Sequence, residues 1–169
     1  VGGSGEMEAF QHKLVHDAGL EKSVFFLGEQ ENPYKYISRA DLFAFPSLHE
    51  GLPNVLLESL ACGTPIISSD CRFGPREILC PQSDLNVTCN TPEQCDYGYL
   101  MPVFDGNVSD ASVPNAPNEL LWSRTISSLL GQSKEVKAKI RLLAQNRAED
   151  FGIERVMAEW ANLIQGKNW

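Results

Sequence analysis

Leu48-His49-Glu50-Gly51-Leu52-Pro53-Asn54-Val55-Leu56-Leu57-Glu58-Ser59-Leu60-Ala61-Cys62-Gly63-Thr64-Pro65 is the stretch that decides the reading of this chain. A glycine–proline loop runs into an apolar helix. One carboxylate, Glu50, lies in the loop, and a second, Glu58, follows eight residues later inside the helix. Pro53 suits the first helical position, where its missing N–H and fixed φ cost nothing. Leu56, Leu57 and Leu60 then form a core-facing stripe at helical spacing. Gly63 is a natural stop, and Pro65 prevents continuation. If Pro53 is first in the helix, the cap falls on Leu52, which has no side-chain acceptor for the orphan N–H groups. Those donors then remain available to water or an anion, and the helix dipole favours the anion. The alternative cap, Asn54, would satisfy them internally, and the sequence leaves both open. Gly51 allows a ligand close to the backbone.

A lone helical glutamate is ordinarily solvated. Glu58, however, is the only charge between Gly51 and Ser69, in a helix otherwise apolar or small. Two hydroxyl-binding acids flanking a phosphate-binding corner are what a nucleotide sugar needs.

Around this corner the chain alternates. Helix is expected over Glu6–Ala18, with Gly19 as stop, strand over Ser23–Leu27, and a short helix over Pro33–Arg39. Asp41–Phe45 is a continuous apolar strand expected to be buried on both faces. The motif helix (Pro53–Cys62), a strand at Ile66–Ser68 and another at Tyr99–Met101 follow. Helices at Asn118–Leu130, Lys134–Asp150 and Ile153–Ile164 close the chain. Such alternation predicts an α/β fold with a doubly wound parallel sheet, in which ligands bind beyond the carboxyl ends of the strands. The loop Pro46–Leu52 lies on that rim. Asp84–Asp96 and Asp105–Pro117 are polar and aperiodic and read as an insertion or mobile loop and a linker. Val1-Gly2-Gly3-Ser4-Gly5 reads either as a phosphate cradle or as a tight strand-to-helix turn.

The spacing from Glu50 to Glu58 resembles the Glu-x7-Glu motif of retaining GT-B glycosyltransferases, specifically glycosyltransferase family 4. Five further segments resemble that family in order: Val24–Gly28, Ser38–Ser47, Gly63–Asp70, Gly74-Pro75-Arg76-Glu77-Ile78-Leu79 and Tyr97–Pro102. The fourth of these is similar to the variant in polysaccharide- and oligosaccharide-assembly members. The resemblance implies that residues 1–169 form a single Rossmann-like domain, the C-terminal, donor-binding half of a GT-B fold. It implies a hexosyltransferase-type enzyme that moves a sugar, with retained configuration, from a nucleotide diphosphate such as UDP to an acceptor hydroxyl.

By the same resemblance, Glu50 is the catalytic acid beside the donor sugar. Gly51, Leu52, Pro53, Asn54 and Val55 meet the sugar and diphosphate, and Glu58 takes the ribose hydroxyls by charge-assisted bonds. Gln30 and Lys35 border the base. The family's basic pair for the diphosphate precedes Val1. The glycan or lipid-linked acceptor belongs to an absent N-terminal domain, so the isolated piece is expected to bind donor weakly and not to turn over. No cofactor and no metal is expected, since there is no Asp-x-Asp motif. A GT-B epimerase and a non-catalytic nucleotide-binding module are the competing readings.

Composition agrees with a globular domain: 43% of residues are hydrophobic. The formal charge of −8 argues against nucleic acid or an anionic lipid surface as partner. No run is long enough for a membrane span. Five cysteines at 62, 71, 80, 89 and 95 form no Cys-x-x-Cys pair, and their even spacing from 62 to 89 reads as accidental. Free thiols suggest a reducing cytoplasm, with peripheral association at the inner membrane face in the full-length protein. In that setting the sequons at Asn86 and Asn107 are chance matches. His12 and His16 share a helix face but have no third metal ligand nearby. Arg39 and Arg76 read as surface charges.

Overall fold

The computed structural model describes Gly5, residues 7–107 and residues 116–166. In chain order the elements are α1 (Glu8–Asp17), α2 (Tyr34–Ile37), β1 (Phe43–Phe45), α3 (Asn54–Ala61), β2 (Ile66–Ser69) and α4 (Pro75–Leu79). Then come β3 (Glu93–Gln94), β4 (Tyr99–Met101), α5 (Pro117–Leu130), α6 (Lys134–Glu149) and α7 (Ile153–Ile164). The sheet order is β1-β2-β4-β3. β1 pairs with β2 and β2 with β4 in parallel, aligning Phe43 with Ile66 and Ile67 with Tyr99. β3 is antiparallel to β4. This is a mixed α/β, Rossmann-like half with a parallel-dominated sheet.

Every residue of β2 is buried. Because side chains alternate across a strand, β2 and β4 feed two separate cores. Ile66 and Leu100 join Leu56, Leu60, Ile78, Leu79 and Ala144 on one face. Ile67 and Met101 join Trp122 and Leu129 on the other. Each such side chain contributes roughly 1.5–3 kcal/mol by burial. Gly63, at φ +69°, lets α3 approach α6; a Cβ there would lie 2.6 Å from Arg141 Cγ. The Trp122 indole donates to the Pro102 carbonyl at 3.1 Å, fastening α5 to the end of β4.

Several expectations need correction. Val24–Leu27 forms no strand, and only Gly28 makes an isolated bridge. Phe25 is 65% exposed, so the apolar run is not a buried strand. β1 is not buried on both faces. Phe43 and Phe45 face the core, while Ala44, on the opposite face, is exposed. The segment 84–96 is not simply a mobile loop, since it contains β3. Helix α4 was not anticipated; its five residues are too few to show a period.

Residues 1–4 and 108–115 lie outside the described residues, and with them most of the N-terminal turn, much of the 105–117 linker and the Asn107 sequon. No described helix is long and apolar enough to cross a membrane. Helix α7 buries no residue and presents Ile153, Met157, Trp160 and Ile164 to solvent along one face.

Candidate functional site

The parallel strands end on one rim, and the motif loop leaves it at Phe45. Two contacts with β2 fix its departure. Ser69 Oγ, on the last residue of β2, donates to the Phe45 carbonyl at 3.4 Å and to the Ser47 carbonyl. Ser47 Oγ in turn donates to Glu50 Oε1 at 2.7 Å, holding the half-buried carboxylate over the loop. Burial first, and then the nearby Glu50 carboxylate, push the Cys71 thiol up.

Helix α3 begins one residue later than the sequence suggests. Pro53 is the N-cap rather than the first helical residue, with φ −73° and ψ 97°, and no side chain caps the helix. Neither Leu52 nor Asn54 takes that place, because Pro53 itself holds the extended ψ that a cap requires. The first-turn N–H groups of Asn54 and Val55 therefore lack a capping side chain, as an anion site needs. Glu58 lies one turn beyond Asn54 on the same helix face, opposite the buried Leu56 and Leu60. It is half-buried and, after burial itself, helps push up the thiol of Cys62 a turn further on. The corner thus brings Glu50, Gly51, Leu52, Pro53, Asn54, Val55 and Glu58 onto one open edge. Gly51, Leu52 and Asn54 are exposed there and Pro53 is buried.

A second loop presses on this corner, and its role was not anticipated. Gly74 has φ +88°, and a Cβ on it would lie 2.4 Å from both the Gly51 carbonyl oxygen and Pro53 Cδ. Its N–H donates to Glu77 Oε1 at 3.3 Å. Next to it, Arg76 is 4% exposed rather than a surface charge. Its Nε and Nη2 donate to both oxygens of Asp70, itself 1% exposed, and its Nη1 and Nη2 to both oxygens of Glu93. Ser83 Oγ accepts a further bond from Nη1 at 3.1 Å, and Asp70 also accepts the Cys89 N–H at 2.6 Å. The arginine's partners lie six and seventeen residues away, so no local pattern could announce them.

The remaining predicted residues are more dispersed. Gln30 spends its amide internally, donating to the Leu27 carbonyl at 2.6 Å and accepting from the Tyr36 hydroxyl at 3.3 Å. Lys35 rests 4.8 Å above the Tyr36 ring. Arg39 is exposed, as expected, and donates to the Lys35 carbonyl. His12 stacks on Phe26 at 3.9 Å and His16 contacts Glu21 at 2.8 Å, so the two turn to different partners. A cavity of about 730 Å³ borders the rim at Pro46, Leu48 and Phe104, and another of about 370 Å³ lies by Leu42, Tyr99 and Ile140. Neither of these two is lined by Glu50 or Glu58.

The chain is 32% identical, over 97% of its length, to an uncharacterized glycosyltransferase of Methanocaldococcus jannaschii, of which it covers 41%. Over 46% of its length it is 41% identical to the N-acetylgalactosamine-N,N'-diacetylbacillosaminyl-diphospho-undecaprenol 4-alpha-N-acetylgalactosaminyltransferase of Campylobacter jejuni, of which it covers 21%. The chain thus spans less than half the length of these relatives. Its fold matches that of HepE from Anabaena, solved in complex with UDP, with a TM-score of 0.74 at 19% identity, over 98% of this chain and 40% of that one. These structural neighbours are GT-B glycosyltransferases. The family profile of glycosyl transferases group 1 matches residues 1–95, which hold the whole corner from β1 to α4, and the chain belongs to that family.

Proposed function

We propose that this chain is the donor-binding half of a retaining hexosyltransferase of glycosyltransferase family 4, acting in polysaccharide or glycan assembly and using a UDP-sugar. The observation that carries this reading is the uncapped start of α3 set between two half-buried carboxylates, Glu50 and Glu58. In the reaction, the bond from the anomeric carbon to the diphosphate breaks and its electron pair goes to the departing phosphate oxygen. The N–H groups of Asn54 and Val55 and the α3 dipole stabilise that charge. Gly51, Leu52 and Pro53 carry the backbone along the sugar, Glu50 accepts from the sugar hydroxyls near the reacting carbon, and Glu58 accepts from the ribose diol. Gln30 and Lys35 border the base. The acceptor hydroxyl attacks on the same face and gives its proton to the departing phosphate oxygen, and no metal ion is needed for these steps.

A further body of the full-length protein would supply the acceptor site and additional diphosphate contacts. The relatives' greater length and the exposed apolar stripe of α7 support this. On this reading the isolated chain binds donor weakly and does not turn over, and the full-length protein works in the cytoplasm at the inner membrane face. The glycosyltransferase names of the relatives favour this over an epimerase or a non-catalytic module.

Calorimetric titration with UDP and UDP-glucose tests the division of roles. Glu58→Ala is expected to weaken UDP itself by about tenfold to a hundredfold, the worth of a charge-assisted hydrogen bond. Glu50→Ala is expected to spare UDP and weaken only the increment contributed by the sugar. Equal losses in both variants, or no binding of either ligand at millimolar concentration, would sink the reading.

A further inference from the structure

The sixteen residues from Cys80 to Cys95 contain three of the five cysteines, and the fold gathers them around one carboxylate. Cys80 follows the last residue of α4, and Cys95 follows β3. Two backbone bonds hold these ends together: Tyr97 N–H to the Leu79 carbonyl at 3.2 Å and Cys95 N–H to the Gly98 carbonyl at 2.9 Å. As a result the sulfurs of Cys80 and Cys95 and a Glu93 carboxylate oxygen all lie within 4.8 Å of one another, each residue half-buried. Cys80 Sγ is 3.6 Å from Glu93 Oε1. A tetrahedral zinc ion with ordinary bond lengths places a thiolate sulfur and a carboxylate oxygen about 3.6 Å apart and two sulfurs about 3.8 Å apart. The observed spacing already approaches that geometry.

We propose that Cys80, Glu93 and Cys95 bind a zinc(II) ion, with water as the fourth ligand. The donor set selects the metal: two thiolates with one carboxylate suit zinc, whereas magnesium and calcium take oxygen ligands. Binding releases the two thiol protons to solvent, and the ion replaces the S–H contact that now joins Cys80 to Glu93. The supporting shell is in place. Arg76 donates to both Glu93 oxygens and fixes the plane of the carboxylate, as an outer partner does for a ligating group. A carboxylate has lone pairs for both partners. The site shares no residue with the Glu50–Glu58 corner and needs no donor. Its role is structural, clamping the end of α4 to the β3–β4 pair.

Cobalt(II) titration of the full chain, stripped of metal and kept reduced by a phosphine, tests the assignment. One equivalent is expected to give a thiolate-to-cobalt charge-transfer band and the strong visible bands of a tetrahedral site, both bleached by zinc. Cys80→Ser and Cys95→Ser are expected to abolish the charge-transfer band, and Cys62→Ser to leave it intact. Should the serine variants fail to fold, alkylation of the wild-type chain followed by mass spectrometry still decides. Zinc should protect Cys80 and Cys95 and leave Cys62 reactive. Absence of the band at stoichiometric cobalt, its survival in both serine variants, or equal alkylation with and without zinc would overturn the proposal.

Discussion

Two polar corners stand on the same end of the sheet, one after β1 and one after β2, and they treat their charges in opposite ways. At the first, Glu50 has a single serine donor, α3 starts without a capping side chain, and Gly51, Leu52 and Asn54 are exposed. At the second, Asp70, Arg76 and Glu93 are interlocked, the arginine bonding both oxygens of each carboxylate. The first corner keeps donors and acceptors unspent, which is what binding a charged ligand requires. The second pairs its charges with one another, which is what a scaffold requires. A buried charge with no partner is costly, whereas a half-exposed one can wait in water. Pairing therefore separates the two roles better than charge does.

The largest way to break this contrast is at Arg76. Arg76→Ala leaves a buried Asp70 unpaired and is expected to destabilise the chain by about 3–5 kcal/mol, read by urea denaturation. Loss of under about 1 kcal/mol would mean that the second corner is solvated like the first. Gly74→Ala comes next, because the new methyl meets the backbone of the motif loop at a φ unsuited to alanine. A loss of about 1–3 kcal/mol is expected, together with weaker UDP binding, since the displaced groups are Gly51 and Pro53. Binding unchanged in a destabilised Gly74→Ala would disconnect the two loops.

Acid titration gives a smaller effect. Hydrogen bonding to Arg76 holds the Glu93 carboxyl below its ordinary 4.5, and Arg147 first, then Arg155, holds Asp150 below 3.8. A carboxylate depressed in the folded state favours folding above its unfolded pKa and loses that contribution as pH falls through its folded value. Stability should therefore decline below about pH 4.5. The decline should be shallower in Arg76→Ala, where Glu93 no longer differs between the two states. The smallest effect concerns Ser59, buried in α3 with a hydroxyl that makes no hydrogen bond. Ser59→Ala should change stability by no more than about 0.5 kcal/mol.

What the sequence disclosed follows the same division. The first corner was legible because its determinants are local: Pro53, the Leu56–Leu60 stripe and the Gly63 stop all lie within one helix. Its carboxylates stood out as the only charges in an apolar stretch. The second corner was illegible because its bonds join residues up to nineteen apart, and Arg76 by itself reads like any surface cation. Val24–Leu27 failed for a related reason, as β propensity reflects packing context more than the residues themselves. The thiols of Cys80 and Cys95 meet through a chain reversal that their spacing does not advertise.

The two bonds from Ser69 carry one last implication. The hydroxyl that sets where the motif loop turns off β1 belongs to the neighbouring, wholly buried strand. The loop's point of departure is thus a property of the interior, while its tip at Leu48 and His49 is exposed. Anchor and tip are separable parts. The tip can change in sequence while the frame that holds Glu50 stays where it is.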